Sequence, residues 1–292
     1  MVRLRRAYGQ PANSNLPFED RAVPPAGDPS GMGLGWSATI ASYNIHKCVG
    51  QDGRFDPDRT IAVIKEIGAD VVALQEVDRR FGKRAGLLDL DVLERECALV
   101  PVPLARTRSS RTLNSHGWHG NLLLVRAGTI ASARQMVLPG AEPRGALVID
   151  LTLDAGPLRI IAAHLGLLRR SRARQIKSLL LAARLGHGRP TLILGDLNEW
   201  RLGKRSSLRG LEPVFGPLRP ALPSFPARFP VWSLDRILAN PHHILSQLEV
   251  HDTPLARTAS DHLPIKAAIT LPPPAPNPSV GAEARPDQPV PH

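Results

Sequence analysis

The sequence predicts an α/β domain with mixed sheets. Strand-like apolar segments outnumber helical ones between residues 38 and 270. Two of them, 146–153 and 158–165, are joined by the turn sequence Asp154-Ala155-Gly156-Pro157, which predicts a hairpin and hence an antiparallel pair. Others are joined by helical stretches. Hairpins mixed with helical connections point to mixed sheets rather than one parallel sheet.

The elements follow in order. "ATIASYNI" (38–45) is a strand. Residues 56–68 form a helix, with Asp56 as its N-cap, Pro57 at its first position and Gly68 ending it. "DVVALQEV" (70–77) is a short apolar strand, and 87–99 reads as a second helix. Strands are expected at 120–126, 146–153 and 158–165. Residues 169–185 form a helix that is basic at its start and apolar later, and "TLILGD" (191–196) is another buried strand. Residues 201–232 are rich in Pro and Arg without a clear period and read as loop. Strands at 233–239, 247–252 and 263–270 close a domain spanning 36–271. Residues 1–35 read as a disordered arm and 272–292 as a Pro-rich disordered tail. No internal repeat at the helical-repeat or propeller periods is expected.

Of the 292 residues, 42% are hydrophobic, enough to fill a core. There are 37 Lys plus Arg against 26 Asp plus Glu, a formal net charge of +11 that suits polyanionic partners such as nucleic acid or anionic lipid. The plainer reading is a basic protein with solvated arginines. Cys48 and Cys97 offer neither metal-ligand spacing nor a disulfide framework. No secretory signal and no membrane-spanning run is expected, so the sequence reads as a cytoplasmic, monomeric protein.

Polar residues collect at strand ends. Strand 38–45 finishes at Asn44, strand 70–77 at Gln75-Glu76, and strand 158–165 at His164. "LILGDLNEW" (192–200) ends an apolar run with Asp196 and Asn198, which share one side if the strand continues. Asp235 interrupts "LDRIL", and "SDH" (260–262) brings Asp261 and His262 to the last strand. Each has a plain explanation: a turn, a solvated rim, a core histidine, or pairing of Asp235 with Arg236. Together they are better explained by one site, because buried carboxylates need partners or a cation.

"YNIHK", "ALQEVD", "AAHLGL", "LILGDLNEW", "LDRI" and "SDHLPI", in this order, resemble the motifs of the endonuclease/exonuclease/phosphatase (DNase I-like) superfamily, in a bacterial-type branch. The resemblance covers about residues 38–270. It implies a four-layer α/β/β/α sandwich of two mixed sheets and a Mg²⁺-dependent phosphodiesterase, with Mn²⁺ as a possible substitute, acting by in-line attack of an activated water. It further implies that Glu76 is the principal metal ligand, with Asn44 and Asp261 assisting. Asp196 would position or deprotonate the water, and Asn198 would bind the phosphate. His262, oriented by Asp235, would contact the phosphate, and either Asp196 or His262 serves as base. His164 implies phosphate binding or proton donation to the leaving group, and Asn121 a supporting role. His46, His116 and His119 receive no role.

The substrate stays open at this level. The net charge and "RRSRAR" (169–174) suit a nucleic-acid track, whereas aromatics at 4% leave few stacking platforms. The same arginines suit anionic phospholipid or phosphoinositide head groups at a peripheral membrane contact. A third reading is a phosphate-binding scaffold without catalysis. The 201–232 segment discriminates: an apolar lip beside the site favours lipid, a long basic groove nucleic acid.

Overall fold

A computed structural model describes residues 37–79, 85–105, 115–153, 156–186, 188–201, 203–218 and 221–271. The arm expected over 1–35 and the tail expected over 272–292 lie outside the described residues. The elements are β1 (Ser37–Asn44), α1 (Pro57–Ile67), β2 (Val71–Gln75), α2 (Leu90–Cys97), β3 (Leu99–Pro101), β4 (Leu122–Arg126), β5 (Ile130–Leu138), β6 (Arg144–Leu153), β7 (Gly156–His164), α3 (Arg169–Arg184), β8 (Thr191–Asp196), α4 (Glu212–Phe215), β9 (Asp235–Asn240), β10 (Leu245–Val250), α5 (Pro254–Ala259) and β11 (Ile265–Thr270).

They form a six-stranded sheet, β10-β11-β1-β2-β4-β3, and a five-stranded sheet, β5-β6-β7-β8-β9. Both are mixed: β1–β2 and β7–β8 pair parallel, while β1–β11 and β8–β9 pair antiparallel. β6 and β7 pair antiparallel from Ala146–Ala163 to Leu153–Gly156, which is the expected hairpin. Alternation along the strands then sorts side chains into layers. Ile40, Val71 and Leu123 of the first sheet meet Leu147, Ile160 and Leu192 of the second in a core between the sheets. On the outer face of the first sheet, Tyr43 and Leu74 pack against Ile64 of α1 and Leu93 of α2. On that of the second, Ile161 and Ile193 pack against Ile176 and Leu179 of α3. The result is the expected α/β/β/α sandwich.

α1 is as expected: the Asp56 carboxylate accepts from Arg59 N, and Gly68 closes the helix with φ 62°. At eleven residues it is too short to persist alone, so it depends on burying Ile61, Ile64 and Ile67. α2 starts later than expected because Asp89 caps it, accepting from Asp91 N and Val92 N. β3, β5 and α5 were not expected. β5 is an edge strand with mostly half-exposed side chains, so it lacks the apolar signal of a buried strand. The 201–232 segment is less irregular than expected, since it contains α4 and a bridge between Phe225 and Trp232.

The basic start of α3 also departs from expectation. Arg172 is fully buried, sharing a helix face with Gln175, Ile176 and Leu179. It donates to the carbonyls of Gly166 (3.1 Å) and Leu167 (2.6 Å) and to Glu199 (3.2 Å). Glu199 in turn accepts from Arg201 N (3.0 Å) and Ser207 N (2.6 Å). Arg172 therefore fastens α3 to the chain after β8, and no continuous track of Arg169, Arg170, Arg172 and Arg174 exists.

Gly195 shows why the strand before the expected site is spelled as it is. Its φ is 139°, and a Cβ there would lie 1.8 Å from the carbonyl oxygen of Ala163, its neighbour on β7. Gly195→Ala is expected to destabilise the protein by about 3 kcal/mol or more. Urea unfolding of the variant checks this, and a loss below about 1 kcal/mol would show that the strand end can move aside.

Candidate active site

The alternation that builds the inner core also builds a polar site at one end of it. Ala38 and Ile40 of β1 face the inner core, so Asn44 falls on that side. The same parity carries Val71 and Ala73 to Gln75, Ile160 and Ala162 to His164, and Leu192 and Leu194 to Asp196. Asp235 opens β9 on the side of Ile237 and Ala239. Register completes the alignment: Asn44 pairs with Gln75, His164 with Asp196, and Asp196 with Asp235.

Asp196 is the hub. Its Oδ2 accepts from Asn44 Nδ2 at 3.0 Å and lies 3.3 Å from His164 Nε2 and 3.8 Å from His262 Nε2. Its Oδ1 accepts from the backbone N–H of Asn198 at 2.9 Å. Asn198 takes a left-handed φ of 50° and donates its amide to the carbonyl of Leu165 (3.0 Å). It braces the hub's loop while keeping the motif turn tight. Burial pushes the Asp196 carboxyl up, to about 6, against the pull of His262.

His262 forms the expected dyad with Asp235. Its Nδ1–H donates to Asp235 Oδ2 at 2.8 Å, and Ser224 Oγ donates to the same oxygen at 2.5 Å. Asp235 Oδ1 is buried with no partner among the described residues. The Arg236 guanidinium bonds backbone carbonyls, those of Ser233 and Asp235, and so does not provide the plain pairing for Asp235. Burial alone would push His262 down, but Asp235, then Asp196 and Asp261, outweigh it and raise the imidazole to about 10.

The remaining residues lie around this core. Glu76 has a left-handed φ of 59° and lines a pocket of about 40 Å³ with Lys47, Asp78, His119, Arg144 and His164. Lys47 Nζ contacts the Glu76 carboxylate directly. His46, Lys47 and Cys48 are all left-handed (φ 44°, 57° and 59°), and such outliers concentrate where geometry serves function. Asp261 lies 3.8 Å from His46 Nδ1 and belongs to the same loop as Ser260, whose hydroxyl donates to the Asn44 carbonyl at 2.7 Å. Asn121 is fully buried and donates to the carbonyls of Trp118 and Gly145, tying the first sheet to the second. His116 is structural, bonding the Leu88 carbonyl at 2.8 Å.

Sequence reasoning therefore names most of the cluster but misses Lys47, Asp78, Arg144, Ser224 and a site position for His119. Lys47 stands inside the quoted motif "YNIHK" and Asp78 directly after "ALQEV", so both had a signal. Ser224 had none. It is brought in by the backbone of the 224–232 segment, where Ser224 N donates to the Trp232 carbonyl.

Among the described residues, no group of three or more His, Cys, Asp or Glu is arranged to hold a metal ion. Each expected metal ligand has a protein partner: Asn44 donates to Asp196, Asp261 lies near His46, and Glu76 meets Lys47, with Asp78 a second carboxylate in the Glu76 pocket. The donor chemistry still suits a hard ion: oxygen ligands, no cysteine, and room for a small ion and its water. Magnesium needs only one or two protein carboxylates.

The sequence model of the Endonuclease/Exonuclease/phosphatase family matches residues 41–262. The chain belongs to this family. Its members are phosphoesterases acting on nucleic acids, phosphoinositides or sugar phosphates. The YbhP protein of Escherichia coli K12 is 29% identical over 252 residues, covering 81% of this chain and 97% of that protein. The endonuclease/exonuclease/phosphatase structure from Beutenbergia cavernae has a TM-score of 0.60 at 21% identity, covering 81% of this chain and 72% of that one. The human Nocturnin catalytic domain with bound sulfate has a TM-score of 0.57 at 18% identity, covering 82% and 96%. At such identities the likeness to the solved structures is one of fold.

The dyad carries a pH signature. A folded pKa of about 10 against an ordinary 6.5 means His262 adds stability that is complete below pH 6.5 and is lost as pH rises through 10. NMR of the imidazole in metal-free protein should show His262 still protonated at about pH 8, and titrating at lower pH in Asp235→Asn. An unchanged midpoint in that variant would show that Asp235 does not set the charge.

Proposed function

We propose that the protein is a divalent-metal-dependent phosphodiesterase that cleaves by in-line attack of water. The observation that carries this reading is the assembled hub: Asp196 in reach of Asn44, His164 and His262, with His262 held by Asp235. A divalent ion held at Glu76, with Asn44 and Asp261 flanking, would neutralise charge on the phosphate. A carboxyl raised to about 6 is poised to take a proton from the attacking water near neutral pH, which favours Asp196 as base. An imidazolium on Asp235 cannot act as base. It offers its Nε2–H to a phosphate oxygen. His164 would share in phosphate binding or protonate the leaving oxygen, and Lys47 and Arg144 add positive charge to the same pocket. The scaffold reading is disfavoured by the number of partners converging on Asp196.

One observation favours the lipid substrate class. Phe225 lies 4.8 Å from the His262 ring and meets Trp200, which also meets Trp232. From the same segment Phe229, Val231 and Trp232 are 71%, 66% and 44% exposed. This is an apolar lip beside the dyad, and it suits the edge of a bilayer under an anionic phospholipid head group. The nucleic-acid reading keeps the net charge of +11 but loses the arginine track to the burial of Arg172.

With verified metal removal in EDTA, turnover of bis-p-nitrophenyl phosphate is expected to vanish and to return with Mg²⁺ or Mn²⁺. Turnover that persists without metal sinks the metal requirement. In the same assay, Phe229→Ser with Val231→Ser should leave turnover of this soluble diester intact while lowering cleavage in anionic phospholipid vesicles. Equal effects on both, or plasmid DNA cleaved faster than vesicles, would return the substrate to nucleic acid.

Asp235→Asn should lower turnover by about 10²-fold or more, because it removes charge support for His262 without changing shape. His262→Ala should cost a similar amount, and the double variant little more, since paired groups act as a unit. Folded Asp235→Asn protein with near wild-type turnover would exclude the dyad.

A further inference from the structure

A cluster of cations lies outside the candidate active site, beside α4. A cleft of about 440 Å³ is lined by Arg201, Lys204, Arg209 and Arg236, with Glu212 as the acidic side chain of its wall. Glu212 is taken by Arg209, at 3.4 Å. Arg201, Lys204 and Arg236 have no carboxylate partner among the described residues. Arg236 is the most constrained of them. Its Nη1 donates to the carbonyls of Ser233 and Asp235, and burial pushes its pKa down against the pull of Asp235, Glu199 and Asp196, so a half-buried guanidinium without a carboxylate in contact faces the cleft. Fixed guanidinium groups favour planar, multidentate contact with oxyanions.

The cleft is separate from the hub. Successive residues on a strand point to opposite faces, so Arg236 lies across β9 from Asp235. Leu238, two residues on, packs in the outer core with α3 and α4, which places this face on the outside of the second sheet. The volume exceeds the needs of one phosphate, and Leu208 and Leu218 supply an apolar wall for an attached group.

We propose that this cleft is a second anion site, which binds a phosphate group on the outer face of the second sheet, away from the place where the ester is cleaved. A free phosphate anion and a phosphate carried on an organic group share this chemistry. Binding here does not require the phosphodiesterase reading to hold. It would reach the dyad through Arg236, which grips the carbonyl of Asp235 at 2.9 Å.

The test is calorimetric titration of the full chain with inorganic pyrophosphate in EDTA. The expected result is a saturable site that persists in His262→Ala and in Glu76→Gln, and is weakened about tenfold or more in Arg201→Gln with Lys204→Gln. Both of the latter positions are exposed, so that variant is expected to fold. A repeat with a nucleoside diphosphate separates the sources: tighter binding than pyrophosphate assigns the apolar wall to a carried group, and equal or weaker binding assigns the site to a free anion. No binding, or binding lost in His262→Ala and Glu76→Gln but intact in the Arg201/Lys204 variant, would overturn the proposal and return the anion to the catalytic pocket.

Discussion

The side-chain alternation of strands that face one another across two sheets is the constraint on which the rest depends. Once Ile40, Ala73, Ile160 and Leu192 are committed to the inner core, every second residue along their strands must face the same layer. Asn44, Gln75, His164 and Asp196 are the last members of those series. A one-residue slip would turn each of them outward and bring its apolar neighbour inward. The energy that fixes the active site is therefore mostly the burial of Leu, Ile and Val several residues away, about 1.5–3 kcal/mol for each fully buried side chain. The polar groups need not attract one another strongly, because the sheet registers have already brought them together.

That arrangement has a cost, and the contacts show how it is met. Asp196, Asp235 and His262 are all buried, and isolated charges in such a place would be expensive. Each is compensated by another: Asp235 by the His262 imidazole and the Ser224 hydroxyl, Asp196 by the Asn44 amide and the Asn198 N–H. Arg172 and Glu199 repeat the pattern one layer out, where both side chains are fully buried and each also bonds backbone groups of its own, carbonyls for Arg172 and N–H groups for Glu199. Pairs of this kind contribute little net stability, but removing one partner leaves the other stranded. Their value here is positional, since they hold the turns after β7 and β8 on which Leu165 and Asn198 meet.

This logic also explains what was legible in the sequence. α1 was legible to the residue at both ends, because its cap, its proline and its terminal glycine act locally. Asn44, His164, Asp196 and Asp235 were legible because a polar residue in an apolar strand carries a visible penalty that demands a reason. β5 was not, since an edge strand half in solvent needs no continuous apolar run. Arg172 was misread because a charged residue within a basic run looks solvated. Only the buried face it shares with Ile176 and Leu179 shows otherwise. Ser224 and His119 come from irregular segments, whose course is set by tertiary contacts rather than by local propensity.

The segment from 201 to 232 then acquires a meaning that its composition hides. Its Pro and Arg content reads as loop, yet its two halves do different work on opposite sides of β9. The first half holds Arg201, Lys204 and Arg209 around Arg236 on the outer face. The second brings Ser224 to the Asp235 carboxylate and Phe225 to the His262 ring, and leaves Phe229 and Val231 in solvent. The second half bonds the stretch from Ser233 to Arg236 directly, at Ser233 and Asp235, while the first lines the cleft that Arg236 faces. A strand that opens on the carboxylate holding His262 cannot also supply the lip and the basic wall from its own side chains, because alternate positions are committed to the two cores. The irregular segment is where those chemistries can be added without disturbing the alternation that builds the site.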